Sequence, residues 1–177
     1  MSDRDGKQGW KPFLFKATLL STVIVGSISY VTARYSFVFD PTERTSLESS
    51  LFIIDRFDTN PDRGDYIAFL FGEDDDFYKQ GTLFGKKLVG LPKDRVVSHV
   101  DYDGDNQSGR ILINGEVVAK GFFHKDKLSM SWEELSIDET IPANSYYVVG
   151  ELPYSYDSRY WRYISSDQFV GTMTPIN

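Results

Sequence analysis

From Ala17 to Ala33 the chain carries no charge (ATLLSTVIVGSISYVTA), and its apolar character continues through Tyr35 to Phe39. An α-helix rises ~1.5 Å per residue, so a membrane span needs about 20 such residues. Residues 17–36 reach that length if Arg34 extends its side chain to the interface. Arg4, Lys7, Lys11 and Lys16 precede the run, with Trp10 and Phe13 near the expected boundary. This bias of positive charge puts the N-terminus in the cytoplasm and the residues after about 40 on the far side. Two other readings stay open: a cleaved signal peptide, with Ser29 and Ala33 as the small residues before the cut, and a buried core helix. The apolar region is longer than a signal peptide usually needs, which favours an uncleaved anchor.

Asp40-Pro41-Thr42 ends the run, because proline disfavours helix at the residue before it. Beyond it, short β-rich runs alternate with turns. Strands are expected at 51–54, 66–71, 86–90, 95–100, 110–113, 116–118, 146–149 and 169–173. Asn114-Gly115 reads as a type I′ hairpin turn. A short helix is expected around 131–135 and a single turn at 165–169. No internal repeat or low-complexity linker breaks the chain. The expected organisation is a cytoplasmic tail (1–16), a transmembrane anchor (17–39) and one mostly β domain (40–177). At 177 residues and 41% hydrophobic content, the chain can build one core of that size.

The net charge of −7 argues against nucleic acid as a partner, since phosphate binding needs a basic face. With no cysteine, disulfides and thiolate metal sites are excluded. Asp101-Tyr102-Asp103-Gly104-Asp105 imitates a calcium loop but has Asn106 at the sixth position and Leu112 at the twelfth, so it reads as an acidic turn. Glu73-Asp74-Asp75-Asp76 reads as an exposed loop. No metal or cofactor is expected.

A serine hydroxyl becomes a useful nucleophile only when a base takes its proton. His99 and His124 are the only histidines, and neither sits in a recognisable motif. A lysine serves instead when burial in apolar surroundings lowers its pKa. Lys86 lies in a strand-like run beside Leu83-Phe84, Leu88 and Val89, and Lys87 would point to the opposite face. On these residues alone, a pair of solvated edge lysines fits equally well.

Six segments in order, spanning residues 46 to 161, resemble the type I signal peptidase family. Residues 46–55 (SLESSLFIID) are similar to the box S-M-x-P-T-L-x-x-G-D at the serine, the leucine and the final aspartate. Arg63-Gly64-Asp65 matches the family's RGD, and residues 86–94 (KKLVGLPKD) resemble K-R-V-V-G-L-P-G-D. Leu112-Ile113-Asn114-Gly115 resembles the Y-I-N-G hairpin. Tyr147 to Glu151 and Ser155 to Trp161 resemble V-L-G-D and S-x-D-S-R-Y-W.

The resemblance implies a signal-peptidase-like β-rich catalytic domain on the outer face of a bacterial inner membrane. Ser46 would be the acylating nucleophile and Lys86 the general base that later protonates the leaving amine. Ser155 would orient the lysine, while Asp157 and Arg159, with Ser158 between them, would brace the site. The Ser46 N–H would donate to the oxyanion. Substrates would be membrane-tethered preproteins with small residues before the scissile bond. Phe122-Phe123 would reach the lipid surface if it corresponds to the family's hydrophobic patch.

The chain departs from the pattern at Leu47 and Ser49, where the family has methionine and proline, and at Arg44, where many members have a serine that helps the oxyanion hole. The segment from Gly150 to Ser155 is one residue shorter than the family's. The small domain and single anchor also resemble a branch that matures conjugative pilins, some by ring closure. Prepilin substrates, secretion or conjugation machinery as partners, and a catalytically inactive scaffold are therefore the alternatives.

Overall fold

The computed structural model describes residues 9–40, 46–103 and 106–176, and the side chains of these except 102, 103, 106 and 107. Arg4, Lys7, Arg44 and Thr45, and the tip of the calcium-like turn at Gly104-Asp105, lie outside the described residues.

Helix α1 (Trp10–Arg34) has 25 residues, about 37 Å at the standard rise. None is buried against the rest of the chain, and Leu19, Leu20, Val23, Ile24 and Ile28 are all exposed. It is long and apolar enough to cross a membrane. The helix starts earlier than the uncharged run and ends at Arg34, short of the anchor end expected at residue 39. Residues 35–39, read from sequence as the close of the anchor, form strand β1 (Tyr35–Phe39). The switch is fixed at Arg34, whose guanidinium grips the Asp55 carboxylate through Nε (3.0 Å) and a second nitrogen (2.6 Å). The Arg34 carbonyl accepts the Arg56 N–H at 2.8 Å, so the chain leaves the helix already paired to the next strand.

The remaining strands are β2 (Leu51–Asp55), β3 (Tyr66–Leu70), β4 (Leu83–Gly90), β5 (Arg95–Asp103), β6 (Asn106–Ile113), β7 (Glu116–Lys120), β8 (Asp138–Thr140), β9 (Ser145–Val149), β10 (Ile164–Ser165) and β11 (Phe169–Pro175). Helices α2 (Trp132–Leu135) and α3 (Ser158–Trp161) are single turns. All pairings are antiparallel, in a seven-stranded sheet of order β1-β2-β11-β3-β4-β9-β10 and a four-stranded sheet of order β7-β6-β5-β8. The mostly β architecture with one N-terminal apolar helix is as expected. Each of the eight expected strands is present, most of them longer than the sequence indicates.

The β6–β7 hairpin turns at Asn114 (φ 51°) and Gly115 (φ 90°), the two positive angles a type I′ turn requires. Asn114 also bonds the Asp94 carboxylate (2.8 Å) and accepts the Arg95 N–H (2.9 Å), which ties the hairpin to the start of β5. α2 begins with a capping box in which Ser131 and Glu134 satisfy each other's backbone N–H.

Three apolar clusters hold the sheets. The first joins Val96, Ile111 and Ile113 of the small sheet to Tyr147 and Val149 of β9. The second lies on one face of the large sheet, where Ile67, Phe69, Phe84, Leu88 and Val148 pack with Trp161 of α3. On the opposite face, Leu47 joins Phe52, Ile54, Ala68 and Met173. Phe122 is buried against Trp132 and Tyr160. Only its neighbour Phe123 is exposed, packed at a tilt against Tyr154.

Candidate active site

Strand alternation sends Lys86 and Lys87 to opposite faces of β4. Lys86 shares its face with Phe84 and Leu88 and is buried, whereas Lys87 is part-exposed and lies 3.4 Å from the Glu151 carboxylate. β9 pairs with β4 only from Lys87 onward. Leu83 to Lys86 therefore present one edge to which no described strand is bonded. Ser46, just before β2, wraps over that edge, and its Oγ is in hydrogen-bond contact with Lys86 Nζ. The two residues are 40 apart in sequence.

The segment that carries Ser46 is held by its main chain. The Ser46 carbonyl accepts the N–H groups of Glu151 (2.8 Å) and Leu152 (3.2 Å). The Glu151 carboxylate accepts the Glu48 N–H (3.2 Å) and the Tyr66 hydroxyl (2.6 Å). Leu47 anchors the segment by burying its side chain in the third cluster.

Behind this turn lies a buried ion pair. Asp157 and Arg159 make two parallel bonds of 2.8 Å each. Asp157 also accepts the Gly150 N–H at 2.8 Å, and Ser158 Oγ accepts the Val148 N–H at 3.0 Å. The remaining guanidinium donors reach the carbonyls of Lys120, Gly121 and Ser155, so one side chain ties the end of β7 to the turn. Asp157 is thus linked to Ser46 through Gly150 and the two N–H groups that follow it. A Cβ on Gly150 would lie 2.1 Å from Ser155 Oγ and 2.7 Å from the Ser46 carbonyl oxygen. The backbone atom cannot move aside without shifting Ser46. Gly150→Ala is expected to cost roughly 2 kcal/mol of stability by overpacking, read as a lower midpoint in urea unfolding, together with a loss of turnover.

Ser155 lies close behind the Ser46 segment. It is buried within the same turn, but its Oγ bonds no protein group, Lys86 included, because it is directed onto Gly150. Its carbonyl, not its hydroxyl, takes part in the Arg159 network.

Burial lowers the Lys86 pKa from 10.5 to about 8. The Asp157 carboxylate opposes the shift, Arg159 adds to it, and Asp40 opposes it. With that value about a tenth of the lysine is neutral at pH 7, against roughly one part in three thousand for an ordinary lysine. The amine is therefore available as a base where a solvated one is not. His124 is engaged elsewhere, its Nε2 2.7 Å from the Tyr154 carbonyl oxygen, and His99 lies on β5. No metal-binding group of three or more His, Asp or Glu residues occurs among the described residues.

A cleft of about 360 Å³ opens at the Ser46–Lys86 contact and follows the free edge of β4 onto both faces of the sheet. Phe84 and Tyr78 line one side, and Leu47, Gly85, Ala68 and Met173 the other. Glu151, Tyr66, Gly85 and Met173 were not singled out from the sequence. Glu151 was visible only as one letter of the V-L-G-D match, and Met173 lies outside every matched segment.

The family model for signal peptidase, peptidase S26, matches residues 10–176. No curated protein matches the chain.

Proposed function

The chain belongs to the signal peptidase family, peptidase S26, and is a serine peptidase of the signal peptidase type; on that premise we propose that Ser46 and Lys86 are its catalytic dyad and that it removes leader peptides from exported preproteins at a membrane surface. The observation that carries this reading is the contact between a buried lysine amine and a serine hydroxyl at the mouth of a cleft.

In the proposed cycle the substrate lies extended along the free edge of β4, where unpaired backbone groups supply a strand partner. Neutral Lys86 takes the proton from Ser46 Oγ as the oxygen attacks the scissile carbonyl carbon. The carbonyl oxygen becomes an oxyanion facing the Ser46 N–H, an interaction of a kind commonly worth ~3 kcal/mol in acyl transfer. Collapse breaks the C–N bond, and the Lys86 ammonium gives its proton to the departing amine. Lys86, again neutral, then takes a proton from water, whose oxygen attacks the ester, and returns one to Ser46 Oγ as the acid leaves. The Asp157–Arg159 pair and Glu151 keep Ser46 in place throughout.

No residue of α1 is buried among the described residues, and apart from Tyr30, which packs edge-on against Phe57, its apolar surface is left exposed; a bilayer is the surrounding that suits it. We place residues 1–16 in the cytoplasm and residues 40–177 on the far side, where preproteins emerge.

The test is incubation of the detergent-solubilised chain with preprotein and prepilin substrates, followed by mass measurement. Two fragments whose masses sum to the substrate plus one water are expected, and a ring lighter by that water would replace hydrolysis with cyclisation. Failure to cleave any substrate would sink the reading. Because the neutral amine is the active form, kcat/KM is expected to rise with pH and reach half its plateau near pH 8. A profile flat from pH 6 to 9 would remove Lys86 as the base.

A further inference from the structure

Glu151 grips the Ser46 segment at both ends. Its N–H bonds the Ser46 carbonyl at 2.8 Å, and its carboxylate accepts the Glu48 N–H at 3.2 Å. The two bonds fix the peptide planes on either side of Leu47, and with them the direction in which Ser46 presents its Oγ and its own N–H. The main-chain half of the grip belongs to the Gly150 turn. The side-chain half hangs on a flexible glutamate and keeps its place only if the carboxylate is itself held. Tyr66 holds it: the hydroxyl donates to Oε1 at 2.6 Å, while Oε2 takes the Glu48 N–H. Lys87 also reaches Oε1, but at 3.4 Å and from a part-exposed side chain. Tyr66 stands on β3 between Lys87 of β4 and Met173 of β11, and its ring packs on Phe52 with centroids 5.7 Å apart, so the hydroxyl has a fixed origin. The bond to Glu151, followed by burial, pushes the Tyr66 pKa from 10 up to about 12, and the group stays a donor through the neutral range. Tyr66 pairs with Lys87 and Ile67 with Lys86, so the clamp lies on the face of the sheet opposite the base.

Resting on the dyad reading, we propose that Tyr66 is a positioning residue for acyl transfer, acting through the Glu151 carboxylate to hold Ser46 Oγ toward Lys86 and the Ser46 N–H toward the oxyanion. Neither Tyr66 nor Glu151 is among the described residues that line the cleft, so the hydroxyl serves the reacting groups and not the binding of substrate. Without it, Oε1 keeps only the long contact to Lys87, the carboxylate follows that amine toward solvent, and the Glu48 N–H loses its acceptor. Ser46 then samples orientations in which Oγ and N–H no longer meet Lys86 and the oxyanion together. A displacement of about 1 Å at reacting groups costs up to about a hundredfold in rate. The loss here falls below that, because the Ser46 carbonyl keeps the N–H groups of Glu151 and Leu152.

The experiment measures kcat and KM for preprotein cleavage by Tyr66→Phe, Glu151→Met and the double variant, beside thermal unfolding of each in detergent. Tyr66→Phe removes a single oxygen and keeps the ring on Phe52. It is expected to lower kcat roughly tenfold, to leave KM within about twofold, and to stay fully folded at the assay temperature. Hydrogen exchange at the Glu48 amide is expected to speed up in the same variant, while the amides of Ile67 and Lys86 in the β3–β4 ladder hold. That readout needs no second variant and stands if Glu151→Met does not fold. Because Tyr66 acts through Glu151, the double variant is expected to be no slower than Glu151→Met alone. Wild-type kcat in Tyr66→Phe, unchanged exchange at Glu48, or a fall in kcat matched by loss of folded chain overturns the proposal. So does a raised KM with kcat kept, and so do losses that multiply in the double variant. A wild-type chain that cleaves no preprotein overturns the peptidase reading beneath it.

Discussion

Lys86→Met is expected to lower kcat/KM by roughly a thousandfold or more while leaving the fold at least as stable as before. Removing a general base alone costs about a hundred- to ten-thousandfold. In the proposed cycle the loss tends to the upper end, because the same amine would also protonate the leaving group. Stability moves the other way: methionine keeps the length of the lysine stem and removes a buried amine whose desolvation is unfavourable. Ser46→Ala is expected to be equally inactive, and the double variant no worse than either, since the two groups act as one unit. The measurement is preprotein cleavage alongside thermal unfolding. A folded Lys86→Met chain that cleaves at the wild-type rate would eliminate the dyad.

The second large effect is on stability. Arg159→Met is expected to destabilise the domain by about 3–5 kcal/mol, because it strands the Asp157 carboxylate in a site with almost no solvent contact. Asp157→Ala is expected to do at least as much harm. It strands Arg159 and also takes the acceptor from the Gly150 N–H and from the first turn of α3. A double replacement, Asp157→Leu with Arg159→Met, is expected to recover part of the loss, as removal of both buried charges does elsewhere. Recovery of stability should not restore turnover, because the Gly150 N–H would still lack its partner and Ser46 its fixed carbonyl. Guanidinium unfolding of the three variants measures the first claim and preprotein cleavage the second. Single variants within 1 kcal/mol of wild type would show that the pair is dispensable.

Much of the sheet was legible because alternation and turn residues are local signals. Leu51–Asp55, Tyr66–Leu70 and the Asn114-Gly115 hairpin announce themselves within a few residues. β1 was not legible: its five residues, YSFVF, continue the apolar character of the helix without a turn residue. What makes them a strand is the Asp55–Arg34 grip and the ladder with β2. β8, with the sequence DET and all three residues exposed, shows no alternation and exists through its pairing with β5.

The site divides similarly. Ser46 and Lys86 could be named from their motifs, but their contact across 40 residues could not. Nor could the burial that lowers the lysine pKa, which depends on packing from segments distant in sequence. For Ser155 a matched letter fixes a position in the chain and not where its hydroxyl points. Met173 had no motif to mark it, though it lines the cleft.

β1 also sets the level of the site. Arg34 and Asp55 pin its start to the end of α1. Across the sheet the register runs Tyr35–Asp55–Thr172–Ile67–Lys86, so Lys86 lies in the row where the chain leaves α1 and not a strand length beyond it. With the proposed dyad at Ser46 and Lys86 and α1 in a bilayer, a leader would present its scissile bond at the membrane end of the sheet, and one whose cut site lies far beyond its own apolar segment would overshoot Ser46, whatever side chains it offers the cleft.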